Sequence, residues 1–339
     1  MTALLNPPVV ENSGAIVTTI IDQPGRLTQP NSGDLRDILT ASDPARKRKD
    51  IFMRCLVTAA FVLAMLPLVS LLWTVVINGY NRVITRFPYF FTVSMRGVFG
   101  GMDSGGIYHA IVGTLIITAL ATLISVPIGL FTAIYLVEYG NGPLARIVTF
   151  FVDVMTGIPS IVAGLFSFAL FSIFFGPGVR LGIAAGVALS VLMIPVVIRS
   201  CEEMLRLVPN ELREASYALG VPKWLTIVKV VLRTSVAGIT TGVLLSIARV
   251  IGETAPILIT AGISDSLNLN PFDGRMMTLP VFIYRQYQMG LVPCRGDAAC
   301  LTDINFMRAW GAALTLVVVI MALNGIGRLI TRLFAPKLK

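Results

Sequence analysis

Six stretches of this chain are long and apolar enough to cross a bilayer, and they decide most of what it can fold into. About 20 predominantly apolar residues are needed to span the hydrocarbon core. The segments 52–77, 108–137, 147–175, 181–198, 236–262 and 309–334 each offer such a run. Because that layer holds no water to satisfy backbone groups, the expected class is an all-α membrane protein with six transmembrane helices. A hydrophobic content of 55%, a charged content of 13% and a mean hydropathy of +0.81 exclude an ordinary soluble domain. The second, third and fifth segments contain Pro127, Pro159 and Pro256, which membrane helices tolerate where neighbours re-satisfy the freed backbone.

The regions outside these segments divide the chain. Residues 1–50 are expected to be a flexible tail, 51–107 the first helix with the segment after it, 108–334 the membrane core, and 335–339 a short end. The start of the tail lacks the charged, apolar and small-residue zones of a signal peptide, so the first apolar stretch is expected to remain as an anchor. Lysine and arginine are distributed asymmetrically. Seven lie in residues 1–54, one is Arg146, six run from Arg199 to Arg233 and four lie near the C-terminus, against eight on the other side. The positive-inside rule then places both termini in the cytoplasm. The net charge of +9 follows from this arrangement, since the basic residues flank apolar stretches and form no aromatic-interleaved patch of the kind that binds nucleic acid.

One inter-helix loop is both long and on the basic side, from Ser200 to Arg233. Leu205, Val208, Leu212, Ala215, Leu219 and Val221 fall near helical spacing, Gly220 interrupts them, and Pro222 opens a new turn. Two short helices joined at Gly220 are expected. A hairpin this short is not stable alone and needs something packed on it.

The fifth segment carries full charges, in "SIARVIGETAPILIT". A charge at the bilayer centre costs on the order of 3 kcal/mol even on lenient scales, so such residues normally face a protein interior or a water-filled path. Taken as a continuous helix, Arg249 lies at its middle and Glu253 one turn further on the same face, with Ser246 and Gly242 extending the stripe. They are either a structural ion pair or part of an anion path. Replacing a buried pair by apolar residues is often neutral or stabilising, which weakens the first reading.

"ELREASYALGVPKWLTIVKVVL" resembles the EAA loop of ABC-importer permeases, supplying Glu214, Ala215, Ser216, Gly220, Val230 and Leu232, with Ser216 for the second Ala and Arg233 for the final Pro. "LLSIARVIGETAP", "MIPVVIRSCEEMLRLVP" and "SVPIGLFTAIYLVEY" are similar to the phosphate-import permeases of the PstA type, over roughly residues 108–334. The resemblance implies the ABC type I importer permease fold. It implies that Glu214, Ala215, Leu219, Gly220 and Pro222 couple to a separate ATPase. It also implies an anion path at Arg249 and Glu253, with Ser246 and Thr254 beside them. Arg199 is either a positive flank of the fourth span or a second anion contact. A guanidinium matches two phosphate oxygens. A carboxylate can accept a hydrogen bond from P–OH, whereas fully ionised sulfate has no proton to offer and is repelled.

The implied partners are a homologous PstC-type permease, two PstB-type ATPase subunits, an external PstS-type phosphate-binding protein and the lipid bilayer of a bacterial inner membrane; nucleic acid is not among them. The chain has no G-x-x-x-x-G-K-[ST] loop, so no cofactor is expected on it, and ATP and Mg would belong to the ATPase subunits. Other readings stay open: a permease for molybdate, sulfate or phosphonate, or a proton-coupled secondary transporter using Glu253. An intramembrane enzyme would need G-x-S-x-G, H-E-x-x-H or paired aspartates at membrane depth, and none occurs. His109, the single histidine, is expected to be a satisfied interfacial side chain and cannot build a metal cluster. Cys294 and Cys300 fall in an external loop and are disulfide candidates. Residues 271–287 are too polar to span and are expected to dip into the membrane or lie at its surface.

Overall fold

The structure is a computed structural model that describes residues 44–140, 142–294 and 299–334. Residues 1–43 of the expected tail and the end 335–339 lie outside these. All regular elements among the described residues are helical. Two compact units divide the chain, Met1–Ser70 and Leu71–Lys339.

Helix α1, Pro44–Thr85, belongs to the first unit as far as Ser70 and to the second beyond it. It takes in the basic run at 46–49, which was expected to lie in the tail. The second unit then holds α2 (Tyr89–Thr92), α3 (Tyr108–Ile134, prolonged by a π turn to Tyr139), α4 (Pro143–Thr156) and α5 (Ser160–Phe175). Next come α6 (Gly182–Arg206), α7 (Asn210–Ala218) and α8 (Lys223–Thr226), which passes through a π turn, Ile227–Val231, into α9 (Leu232–Ile251). The last elements are α10 (Ala255–Thr260), α11 (Leu279–Met289) and α12 (Ile304–Phe334).

Five helical stretches are long and apolar enough to span a membrane, and a sixth arises if α4 and α5 count as one span bent by 106°. Two expected spans are thus interrupted. The third breaks at Gly157–Pro159, where α4 ends and α5 begins. The fifth stops at Ile251, because Gly252 closes α9 and Pro256, which has no amide hydrogen to give, sits in the first turn of a new helix, α10. The fourth runs past its expected end at residue 198 to Arg206.

Small residues bring α3 and α6 close together, as membrane helix packing favours. An added Cβ at Gly129 would sit 2.6 Å from Val197 Cγ1, and one at Gly186 would sit 3.1 Å from Leu120 Cβ. Ser125 donates to the Ser190 carbonyl across this seam at 3.4 Å. Ile117, Ala121, Leu189, Met193 and Val197 form the core around it.

The segment before α11 folds back into the bundle instead of lying on its surface. Met276, Met277 and Leu279 are buried, a Cβ at Gly113 would meet the Met277 carbonyl at 2.0 Å, and Thr114 Oγ1 accepts the Leu279 amide at 2.8 Å. His109 lies in the same region. It is buried, not interfacial, with its ring edge-on to Phe282 at 5.6 Å and no hydrogen-bond partner on either nitrogen among the described residues.

Candidate functional site

The break that ends α9 changes the geometry of the charged pair. Arg249 sits in the last turn of α9, and Glu253 follows the terminating Gly252, its amide donating to the Val250 carbonyl at 3.1 Å. The i to i+4 face expected of one continuous helix is therefore not formed. Arg249 is exposed, Glu253 is half-buried, and neither side chain makes a salt bridge or hydrogen bond among the described residues. They are two charges beside a helix break, each able to meet something else.

The other residues of the expected stripe point elsewhere. Ser246 is wholly buried and donates to the Gly242 carbonyl at 2.9 Å, and a Cβ on Gly242 would meet Ser200 Cβ at 2.6 Å. That face of α9 packs on α6, which gives Ser246 a packing position. Thr254 lines a mainly apolar cavity of about 670 Å³ with Gly252, Leu258, Pro280, Tyr284 and Leu316. Close packing supports this region from behind, where a Cβ on Gly164 of α5 would fall 2.6 Å from Pro256 Cα.

Arg199 lies two turns before the end of α6, not at the end of a span. Its guanidinium is committed to carboxylates: it bonds Asp153 of α4 and donates to Glu202 at 2.9 Å, and Glu202 also accepts from Arg206 at 2.7 Å. An anion reaching Arg199 would have to displace one of these partners.

The loop between α6 and α9 forms the expected hairpin. Gly220 takes φ +76°, a left-handed conformation that costs a residue with a Cβ about 1–2 kcal/mol. Its amide closes on Tyr217 O at 2.9 Å, and the Val221 amide on Ser216 O at 3.2 Å. Glu214, Ala215 and Pro222 are exposed, as is Leu219 at 83%. Glu214 makes no side-chain bond among the described residues and does not brace the turn. The bracing comes from Ser216, whose hydroxyl meets that of Thr226 at 2.8 Å.

A pair that the sequence reading missed ties this hairpin to the membrane core. Arg213 of α7 bonds Glu138, at the end of α3, through Nε at 3.1 Å and Nη2 at 3.0 Å. It also donates to the Leu205 carbonyl at 3.0 Å, the Val208 carbonyl at 2.6 Å and Asn210 Oδ1 at 3.1 Å. Lys223 bonds the Glu138 carbonyl and lies 4.3 Å from the centre of the Tyr139 ring. The available signal was a lone carboxylate closing an apolar span, in "YLVEYG". At the opposite end of the bundle, Cys294 and Cys300 are joined in a disulfide, and Arg82 and Arg86 both bond Asp103.

Spans interrupted beside charged residues, with a two-helix hairpin projecting from one end, define an importer-permease fold. The same fold is seen in the inward-facing MetNI methionine ABC transporter, at a TM-score of 0.52 and 20% identity, covering 68% of this chain and 95% of that one. It is seen again in a bacterial alginate ABC transporter in complex with an alginate pentasaccharide-bound periplasmic protein. There the TM-score is 0.57 and the identity 14%, covering 85% of this chain and 97% of that one.

The chain belongs to the family described as binding-protein-dependent transport system inner membrane component, whose model matches residues 125–339. It is 50% identical over 268 residues to the phosphate transport system permease protein PstA 1 of Mycobacterium tuberculosis (strain CDC 1551 / Oshkosh), covering 78% of this chain and 83% of that protein. It is 49% identical to the PstA of Mycobacterium leprae, over 79% of this chain and 84% of that protein. Against the PstA of Pasteurella multocida the identity is 38%, over 70% and 79%.

Proposed function

We propose that the chain is a PstA-type permease subunit of an ATP-driven inorganic phosphate importer and forms half of its translocation path. The observation that carries this reading is 50% identity over 268 residues to a permease named for phosphate transport. The helix break supports it, because Arg249 has no carboxylate partner among the described residues and its guanidinium is left available to an anion. In this reading Arg249 grips two phosphate oxygens in its planar fork. Glu253 accepts a hydrogen bond from P–OH and repels oxyanions that have none to give. Arg199 is a second station, reached when its ion pairs open, and two stations let an ion bind well enough to enter and weakly enough to leave.

The chain itself does no covalent chemistry and holds no cofactor; ATP and Mg are bound by two PstB-type ATPase subunits. The exposed apolar face of the hairpin, with Leu212, Tyr217, Leu219 and Trp224, suits a groove on such a subunit. A PstC-type permease completes the path, and a PstS-type binding protein delivers phosphate from outside. The hairpin end and both termini are cytoplasmic by the positive-inside rule. The test is ATP-dependent phosphate uptake by the reconstituted complex, with sulfate and molybdate as competitors. Uptake that needs ATP and resists a large excess of both is expected. Uptake driven by a proton gradient alone, or competed equally by either anion, would reject the reading.

A further inference from the structure

The 106° bend between α4 and α5 has a geometric result. If α5 crosses the bilayer, α4 cannot, and it lies close to the membrane plane at the hairpin end. Its side chains divide as an interfacial helix requires. Leu144, Ile147, Phe151 and Val154 are exposed along one face, while Ala145 and Val152 pack against Ile198 of α6.

Between α4 and the last turns of α6 is a cavity of about 450 Å³ whose polar wall includes Arg146, Thr149, Asp153, Glu202 and Arg206. Arg146 and Arg206 stand against Asp153 and Glu202 in this lining, but they are not paired evenly. Asp153 is answered by Arg199, and Glu202 by Arg199 and Arg206. Arg146 is exposed and makes no salt bridge or side-chain hydrogen bond among the described residues. Arg199 is not part of the lining but bonds both of its carboxylates, so the cluster of three guanidiniums and two carboxylates carries one positive charge in excess, at Arg146.

We propose that this cavity holds the phosphodiester headgroup of an anionic phospholipid from the leaflet at the hairpin end, with the acyl chains leaving over Phe150, which is exposed and lines the cavity, toward Ile147 and Phe151 on the adjoining face of α4. One net negative charge matches the one unanswered positive charge, and basic pockets between helices at the cytoplasmic face suit such headgroups. Free phosphate could use Arg146 but would have no use for the exposed Phe150 at the cavity's edge. The site depends on the permease reading only through the assembled complex needed to test it.

That complex, in phosphatidylcholine nanodiscs containing a minority of phosphatidylglycerol, is examined by native mass spectrometry for retained lipid. Wild type should retain phosphatidylglycerol in preference to phosphatidylcholine. Arg146→Gln should lower that preference about fivefold, the worth of one basic residue near a membrane surface. Arg146→Lys should restore most of it, and because Arg146 makes no side-chain bond among the described residues, both variants should assemble. No lipid preference in wild type, or the same preference in Arg146→Gln, would overturn the site. So would displacement of the Arg146-dependent lipid by millimolar inorganic phosphate, which would assign the cavity to the free anion. Crosslinks from α4 into a neighbouring permease chain with no lipid retained would overturn it as well. A complex that retains phosphatidylglycerol through Arg146 but transports no phosphate would support the site while rejecting the permease reading.

Discussion

Replacing Arg213 with Gln isolates a carboxylate that the fold has sealed from water. The side chains of Arg213 and Glu138 are only 12% and 5% exposed. Removing one member of a buried pair costs about 3–5 kcal/mol, because the other charge stays behind without a partner. Arg213→Gln belongs at the upper end of that range. The Leu205 and Val208 carbonyls, near the end of α6, lose their charged donor as well. Glu138→Gln belongs at the lower end, since its amide oxygen can still accept from Arg213 and the guanidinium keeps three other acceptors. The cost should fall locally, on the attachment of the hairpin to α3. A loss of about 4 kcal/mol raises the population of detached hairpin roughly a thousandfold. Hydrogen exchange measured on peptides covering 205–226, in the complex in nanodiscs, reads this directly. The double variant should show a coupling energy of about 1–3 kcal/mol relative to the two single variants. Phosphate moved per ATP hydrolysed should fall together with hairpin protection. Unchanged exchange in Arg213→Gln, or strictly additive effects of the two substitutions, would refute the clamp.

Arg249→Gln is expected to nearly abolish phosphate uptake while the complex still assembles, with Lys rescuing only in part, since it is a point charge without the planar fork. Glu253→Gln should lower discrimination against sulfate at least as much as it lowers phosphate uptake; full transport by a double Leu variant of these two residues would leave them as scaffold. Gly220→Val places a β-branched residue at φ +76° and should weaken ATPase association or uncouple hydrolysis without impairing membrane insertion, measured by co-purification and by phosphate moved per ATP. Peptide mapping without reductant should recover Cys294 linked to Cys300, and finding both as free thiols would remove the bond.

The spans were legible because hydropathy is a sum over neighbours in sequence, and the Gly220 turn because its punctuation is local. The interruptions were harder to read. Pro159 and Pro256 were visible, but proline in a membrane helix permits either a kink or a full break, and the bundle decides which. That choice moved Glu253 off the helix carrying Arg249, so a spacing argument valid for a continuous helix did not apply. Ser246 was placed by its period, yet Ser200 of α6 determines what the period faces. Glu138 and Arg213 are 75 residues apart, and no periodicity links two segments that meet only once α3, α6 and the hairpin have packed.

The glycine seam between α3 and α6 sets how movement can pass through this subunit. With Val197 and Leu120 already pressed against Gly129 and Gly186, neither helix can slide a turn past the other without collision. The two therefore move as a single lever. The 25 residues of α6 extend over about 37 Å, so a tilt of about 5° applied at the hairpin carries the far end through roughly 3 Å. That far end is fastened to its surroundings, because the Leu181 amide is bonded to Thr260 O at 3.0 Å and the Ile183 amide to Pro271 O at 2.8 Å. A stroke too small to notice at the hairpin thus arrives at α10 as a displacement about the radius of an oxyanion, in the short helix whose other end adjoins Glu253.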